Sequence, residues 1–410
     1  MRKDILKFIP GETNILYGGR VYDHREVNNL MQSAKEFWLT DGHFCDEFSQ
    51  GLTKFIGVRY CVLCNSGSSA NLLAISALTS PLLKERRLIP GDEVVTTACG
   101  FPTTLNPILQ NNLIPIFIDI ELGTYNIDVS QIEKAITEKT KAIFIPHTLG
   151  NPADIDSIKR IAKKYNLWFI EDNCDSLGSK YKGKQTGSFG DMSTLSFFPA
   201  HHITTGEGGA VLTNNPLLKK ILFSFRDWGR DCFCKPGTNN TCKMRFKQKF
   251  PGFPYGYDHK YIYSHIGYNL KMTEMQAAIG VAQLEKLPKF IESRRDNFIS
   301  LYACVSKYPD VFGLPCWGIN TEPSWFGFTL LVNDRQKAVE FLESRKIHTR
   351  MLFGGNLLRQ PAYKNIKYKS TKLPITDLAM NNLLWIGVYP GITKDMLNYM
   401  KEVLSEYAES

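Results

Sequence analysis

The sequence predicts an α/β fold, a mainly parallel β-sheet wrapped by helices, followed by a second, smaller α+β domain. Three observations carry that expectation. Short apolar runs alternate with helical patterns from Arg59 to about Thr213; the rhythm breaks into an irregular stretch over 227–263; a separate strand and helix pattern follows residue 291. Taken in order, Tyr60-Cys61-Val62-Leu63 reads as a strand and 69–78 as the helix after it. Residues 93–97, 114–118, 142–146, 167–171, 194–197 and 210–213 read as further strands. Residues 154–164 read as a helix, apolar at Ile155, Ile158 and Ile161. Gly, Pro, Asn, Lys, Cys and aromatics fill 227–263, which predicts a long functional loop. A helix over 274–287, a strand over 326–332 and helices over 335–345 and 394–407 complete the reading. The expected division is a large domain over 1–290, with the loop inserted, and a small domain over 291–410.

Length and composition bound the function. A chain of 410 residues buries a sizeable core, and 43% hydrophobic with 22% charged residues is ordinary for a soluble globular protein. Residues 1–19 mix Arg2, Lys3, Asp4, Lys7 and Glu12, with no apolar stretch of signal-peptide length. No later run approaches a membrane span, so the expected location is the cytoplasm, with no membrane partner. The net charge of +9 comes from dispersed basic residues without a nucleic-acid motif, which favours a small anionic substrate over nucleic acid. In that setting the ten cysteines predict metal or redox work rather than disulfides.

Three motifs lie where ligands of such sheets bind, at strand ends. Asn65-Ser66-Gly67-Ser68-Ser69-Ala70-Asn71 joins a strand to a helix. Glycine there admits an anion and free helix-start N–H groups bind phosphate; a polar turn with a helix cap is the alternative. Glu171-Asp172-Asn173-Cys174 ends an apolar strand, where a carboxylate can hold a protonated pyridine nitrogen or cap a turn. The run from Ser196 through His201-His202 to Gly206-Glu207-Gly208-Gly209 lacks the third glycine of a dinucleotide fingerprint. Its paired histidines read as structural or metal-binding.

The Ser196 to Gly209 segment resembles the lysine loop of the DegT/DnrJ/EryC1/StrS sugar aminotransferases, and the resemblance runs from about Ile15 to Glu406. It implies an aspartate-aminotransferase-like fold, the fold type I of pyridoxal-phosphate enzymes, and a homodimer with shared active sites. It implies that Ser68 and Ser69, at the Gly67 turn, and Ser196, in the separate 196–209 segment, hold the cofactor phosphate. Phe101 would stack on the pyridine, Asp172 would pair with its nitrogen, and Asn269 would reach the phosphate across the subunit interface. His201 stands where most of the family has lysine. Imidazole cannot form a Schiff base, and no lysine lies between Asp191 and Leu217, so the expected cofactor is non-covalent pyridoxamine phosphate with His201 as base.

Cys174, Cys232, Cys234 and Cys242 match neither zinc-finger nor plant-type ferredoxin spacing. They resemble the 2Fe–2S pattern of the family's CDP-4-keto-6-deoxy-D-glucose 3-dehydratases, as do Arg230-Asp231-Cys232-Phe233-Cys234 and Tyr257-Asp258-His259-Lys260-Tyr261. Cys61 and Cys64 form a competing pair, read as core. The branch implies dehydration of a nucleotide-linked 4-keto sugar at C3, with electrons from a separate flavin/iron–sulfur reductase. Rival readings are a colitose-type 3-dehydratase, an ordinary aminotransferase, a TDP-linked 2,6-dideoxy-sugar 3-dehydratase and a catalytically dead cluster-binding protein. Arg350 is a candidate for the diphosphate, or for a surface salt bridge. Seven basic residues (Arg226, Arg230, Lys235, Lys243, Arg245, Lys247 and Lys249) predict a loop that docks an acidic electron donor, or simply a solvated one.

Overall fold

The computed structural model describes residues 8–410; the expectations resting on Arg2, Lys3, Asp4 and Lys7 lie outside the described residues. Helices α1 (His24–Glu36) and α2 (His43–Ile56) precede the first strand. The large domain then runs β1 (Tyr60–Cys64), α3 (Gly67–Leu78), β2 (Glu93–Thr97), α4 (Pro102–Gln110), β3 (Ile114–Ile118), α5 (Val129–Ala135), β4 (Thr140–Pro146), α6 (Ile155–Lys164) and β5 (Trp168–Asp172). Short strands β6 (Lys180–Tyr181) and β7 (Lys184–Gln185) lead to β8 (Met192–Ser196), β9 (Gly209–Thr213) and α7 (Pro216–Arg226). The long helix α8 (Glu274–Val305) follows the irregular loop. Beyond it come β10 (Thr321–Glu322), β11 (Gly327–Leu331), α9 (Arg335–Ser344), β12 (Thr349–Met351), β13 (Lys369–Ser370), α10 (Pro374–Asn382), β14 (Leu383–Gly387) and α11 (Lys394–Glu409).

The main sheet has the order β1-β9-β8-β5-β4-β2-β3-β13. Its pairs are parallel except that β9 runs antiparallel to both β1 and β8. β2, β5, β8 and β9 are buried at every position, as strands covered by helices on both faces must be. Because β1, β8, β5 and β2 point the same way, the turns after them open on one edge. That edge carries all three sequence motifs.

One expected helix end is corrected, and one strand of the C-terminal part joins the main sheet. Helix α8 does not stop at residue 287 but continues to Val305, so residues 290 and 291 lie inside one helix. Its first half packs Ala277, Ala278 and Leu287 against Phe48, Leu52 and Phe197. Its second half gives Phe298, Leu301 and Val305 to the core of the C-terminal region, with Phe328, Leu384, Ile386 and Leu404. The C-terminal part also returns β13 to the edge of the main sheet beside β3. Its own sheet is β11-β14-β12, antiparallel throughout.

Candidate active site

The strand-end edge encloses a cavity of about 1070 Å³. Gly67, Ser68, Phe101, Asp172, Cys174, Ser196, His201 and Arg350 all line it. The phosphate motif is the start of α3. Ser66 caps the helix, its Oγ accepting the Ser69 N–H at 3.0 Å and donating to Ser69 Oγ. The amides of Gly67 and Ser68 precede the first intrahelical bond, Ala70 N–H to Ser66 O, and belong to residues that line the cavity; neither has a hydrogen-bond partner among the described residues. Gly67 has no substitute: a Cβ there would lie 2.4 Å from Ser196 Cβ and 2.7 Å from its Oγ. The two motifs meet in this contact. Ser196 itself is buried at the end of β8, where its Oγ accepts the Phe198 N–H at 3.4 Å.

Asp172 ends β5 with 6% exposure. Its Oδ2 accepts from Thr104 Oγ1 at 2.6 Å and Asn71 Nδ2 at 2.8 Å, and its Oδ1 accepts the Cys174 N–H at 3.3 Å. These donors are neutral, and among the described residues no Lys, Arg or His pairs with the carboxylate. A buried carboxylate without a cation is costly. A protonated pyridine nitrogen would supply one. Phe101, at the N-cap of α4, leaves 53% of its surface open beside the cavity, with Phe353 against it at 6.2 Å. Orphan amides, an unpaired carboxylate and an open ring therefore fit a pyridoxal-type cofactor.

His201 sits in the turn between β8 and β9, its N–H bonded to Phe198 O at 2.9 Å. The ring packs on Phe326 with centroids 5.1 Å apart. Nδ1 is buried without a hydrogen bond, 3.5 Å from Asp175 Oδ1, while Nε2 takes no partner within the described chain. Burial, and then the positive charge of Arg294, hold the imidazole down to about 3, so it is neutral at physiological pH. Burial, then the charge of Asp172, push the Asp175 carboxyl up to about 8. No lysine lines the cavity.

Other expected residues lie elsewhere. Ser69 turns its hydroxyl to Ser66, and Asn269 is exposed, its Oδ1 accepting from Lys271 Nζ at 2.8 Å; neither lines this chain's cavity. The cysteine set is not gathered: among the described residues, no group of three or more Cys, His, Asp or Glu could hold a metal ion. Cys174 Sγ faces Thr194 Oγ1 at 3.9 Å, inside the main cavity. Cys234 contacts Thr241 Oγ1 at 3.0 Å and lines a different cavity of about 380 Å³ with Cys61 and Lys219. Cys242 accepts the Met244 N–H at 3.4 Å and lies 3.7 Å from His259. Cys174 thus opens on the main cavity and Cys234 on the other, with Cys232 hydrogen-bonded to Cys234, and the four thiols do not converge in this structure.

The basic loop is also less free than its composition suggests. Arg226 is buried against Asp41 and Asp227, Lys235 pairs with Asp46 and Arg245 with Asp258. Lys243, Lys247 and Lys249 remain exposed. Arg350 makes no salt bridge among the described residues; its guanidinium lies 3.8 Å over the Tyr17 ring. Sequence reasoning missed Asn71 as an Asp172 ligand, along with Thr104, Asp175 and Arg294. Only Asp175, one turn beyond Asp172, had a local signal.

Comparison with known proteins agrees with this geometry. The chain belongs to the DegT/DnrJ/EryC1/StrS aminotransferase family, whose model matches residues 21–405. It is 52% identical over 406 residues to the lipopolysaccharide biosynthesis protein RfbH of Salmonella typhimurium, covering 98% of this chain and 93% of that protein. It is 48% identical over 406 residues to dTDP-4-dehydro-2,6-dideoxy-D-glucose 3-dehydratase of Saccharopolyspora spinosa, covering 98% and 88% respectively. The solved structure of E. coli GDP-4-keto-6-deoxy-D-mannose 3-dehydratase with bound hydrated PLP superposes with a TM-score of 0.86 at 32% identity, covering 95% of this chain and 99% of that one. The fold is that of the fold type I aminotransferases. Among the described residues, no helix is long and apolar enough to cross a membrane.

Proposed function

We propose that this chain is a pyridoxamine-phosphate-dependent 3-dehydratase of a nucleotide-linked 4-keto-6-deoxyhexose, most specifically CDP-4-keto-6-deoxy-D-glucose. One observation carries it: the cavity pairs a buried carboxylate awaiting a cation with a neutral histidine, and contains no lysine. Pyridoxamine phosphate, when bound, supplies an amine for the C4 ketone and a ring that stores the electrons needed to expel the C3 hydroxyl. The start of α3 would hold the phosphate, with Ser68 and Ser196 lining the cavity and the Ser69 hydroxyl released from Ser66 to reach it. Asn269 of a second copy completes that site in a homodimer. Phe101 covers one face of the ring. Asp172 holds the proton on the pyridine nitrogen. His201 would serve as the base, taking up a proton at Nε2, the ring nitrogen with no partner among the described residues.

The relative acting on a dTDP-linked sugar, at 48% identity, favours a second reading in which the nucleotide is TDP. Turnover with CDP- and TDP-linked 4-keto sugars separates the two. Transamination of both without C3–O cleavage would defeat each. A 2Fe–2S centre on Cys174, Cys232, Cys234 and Cys242, fed by a separate reductase, rests on the resemblance of the cysteine pattern and of segments 230–234 and 257–261 to the iron–sulfur branch of the family. No step is assigned to it. Iron and acid-labile sulfide in anaerobically purified protein decide that point. Protein that holds these but no pyridoxamine phosphate, and turns nothing over, would be the cluster-binding rival.

A further inference from the structure

We infer that Arg294 is a positioning residue for His201: from α8, its guanidinium fixes both the backbone that aims the imidazole and the aromatic wall on which the imidazole rests. The inference rests on His201 acting as the base of the proposed reaction.

Arg294 is the largest fully buried side chain, at 1% exposure. One terminal nitrogen, Nη2, donates to His201 O at 3.0 Å; the other, Nη1, donates to Trp325 O at 3.1 Å and Phe326 O at 3.4 Å. Phe326 is the ring packed on His201. A single side chain therefore ties the β8–β9 turn to the segment that enters β11. No carboxylate lies within ion-pair distance of it among the described residues, and its Nε has no hydrogen-bond partner.

A buried cation satisfied only by carbonyls is an expensive way to join two loops. One neighbouring contact already joins them without charge, and another ties the second segment to the loop after β4. His202 Nε2 donates to Ser324 O at 2.8 Å, and Phe326 N donates to Leu149 O at 2.9 Å. What Arg294 adds is orientation at one place, the carbonyl of His201 itself. His201 has no other anchor on its ring, because Nδ1 is unbonded and Nε2 is free. Packing on Phe326 and the held backbone are all that set the direction of Nε2. General-base transfer depends on that direction, and misplacement by about 1 Å can cost about 100-fold in rate.

The test is a double-mutant cycle on the cofactor-loaded enzyme, using Arg294→Met and Arg294→Lys, each alone and combined with His201→Asn. Expected for Arg294→Met is pyridoxamine phosphate affinity within about threefold of wild type and KM nearly unchanged, with kcat down roughly 10- to 100-fold. Amide exchange of 198–205 should accelerate. Lysine should rescue only part of kcat, since one ammonium cannot hold three carbonyls on two segments. In the His201→Asn background, either Arg294 change should cost less than about threefold further, because the group it aims is gone. Losses that multiply in the double mutant, or a fall in kcat that merely tracks lost cofactor, would overturn the inference. If Arg294→Met does not fold, the lysine variant closes the same cycle. A His201→Asn enzyme with normal turnover would instead defeat the functional reading.

Discussion

Gly67→Ala isolates the phosphate cradle from the rest of the site. The added methyl would lie 2.4 Å from Ser196 Cβ, 2.7 Å from Ser196 Oγ and 3.1 Å from Ser196 Cα. Ordinary carbon contact is about 3.5–4.0 Å, so the start of α3 and the end of β8 must separate by about 1 Å. Ser196 sits in a strand buried at every position, so it has little room to yield. Overpacking of this kind costs about 1–3 kcal/mol. The same displacement would carry one of the Gly67 and Ser68 amides out of hydrogen-bond range of a phosphate held there and lengthen the bond from the other, and each bond to a charged group is worth about 1.5–3 kcal/mol. Losing one of them, with the other weakened, raises the Kd for pyridoxamine phosphate roughly 30- to 700-fold, or about 2–4 kcal/mol. Fluorescence titration of the apoprotein, with circular dichroism to confirm folding, reads this directly. Adding Ser196→Gly removes the clash and should recover part of the affinity despite the lost hydroxyl. A folded Gly67→Ala protein that binds within threefold of wild type would refute the cradle, and a double mutant no better than the single would refute its steric origin.

Two further outcomes are expected. His201→Asn should bind pyridoxamine phosphate almost normally, since none of the cradle residues is touched, while C3 dehydration and solvent exchange of the C4′ proton fall together by about 10²- to 10⁴-fold; His201→Lys should instead gain borohydride-sensitive attachment of pyridoxal phosphate and drift towards transamination. Wild-type protein that is itself trapped by borohydride with pyridoxal phosphate would contradict the lysine-free cavity. On the cluster proposal, each of Cys174→Ser, Cys232→Ser, Cys234→Ser and Cys242→Ser should lower iron content without altering cofactor affinity; undiminished iron in the double variant of Cys232 and Cys234 removes the cluster assignment.

The sheet was legible because its strands are buried on both faces and read as unbroken apolar runs between turn signals. Val62, Val94, Ile143 and Ile170 are all inaccessible to solvent. Helix α8 was cut short because Pro288 usually ends a helix, lacking an N–H for the ladder. Here packing decides instead: Phe290 and Ile291 belong to one core and Phe298 and Leu301 to the next, so the helix is held on both sides of the proline. At the site, residues in motifs were found, and those joined by the fold alone were not. Thr104 meets Asp172 across 68 residues, and Arg294 meets His201 across 93. No periodicity or spacing encodes such contacts. The loop over 227–263 gave composition without geometry, and its charges turned out to be partly spent on Asp41, Asp46 and Asp258.

The state of His201 can be tested without substrate, through stability. Its folded pKa, about 3, lies below the ordinary value of 6.5 because burial disfavours the cation and Arg294 repels it. Between those values the unfolded chain binds a proton that the folded chain refuses, so the imidazole destabilises the fold as pH falls from 6.5 towards 3. Its stabilising share is fully present above 6.5. Each pH unit in the window costs about 1.4 kcal/mol, so acidification from pH 7 to pH 4.5 should cost about 2.5 kcal/mol through this residue. His202 is held low by burial and Arg294 in the same way and adds its own loss, which is common to wild type and His201→Asn apart from the smaller part that His201 itself contributes. Asp175, 3.5 Å from Nδ1, is the neighbour whose titration can blunt the difference, which makes 2.5 kcal/mol an upper figure. Denaturant midpoints of the two proteins at pH 7 and pH 4.5 give the comparison. The asparagine variant should gain on wild type as the solution is acidified. An unchanged gap would mean that the imidazole protonates in the fold near its ordinary pKa. A base of that kind would be half consumed by protons near pH 6.5, whereas one held neutral keeps its lone pair available at lower pH in exchange for a weaker intrinsic pull on the proton.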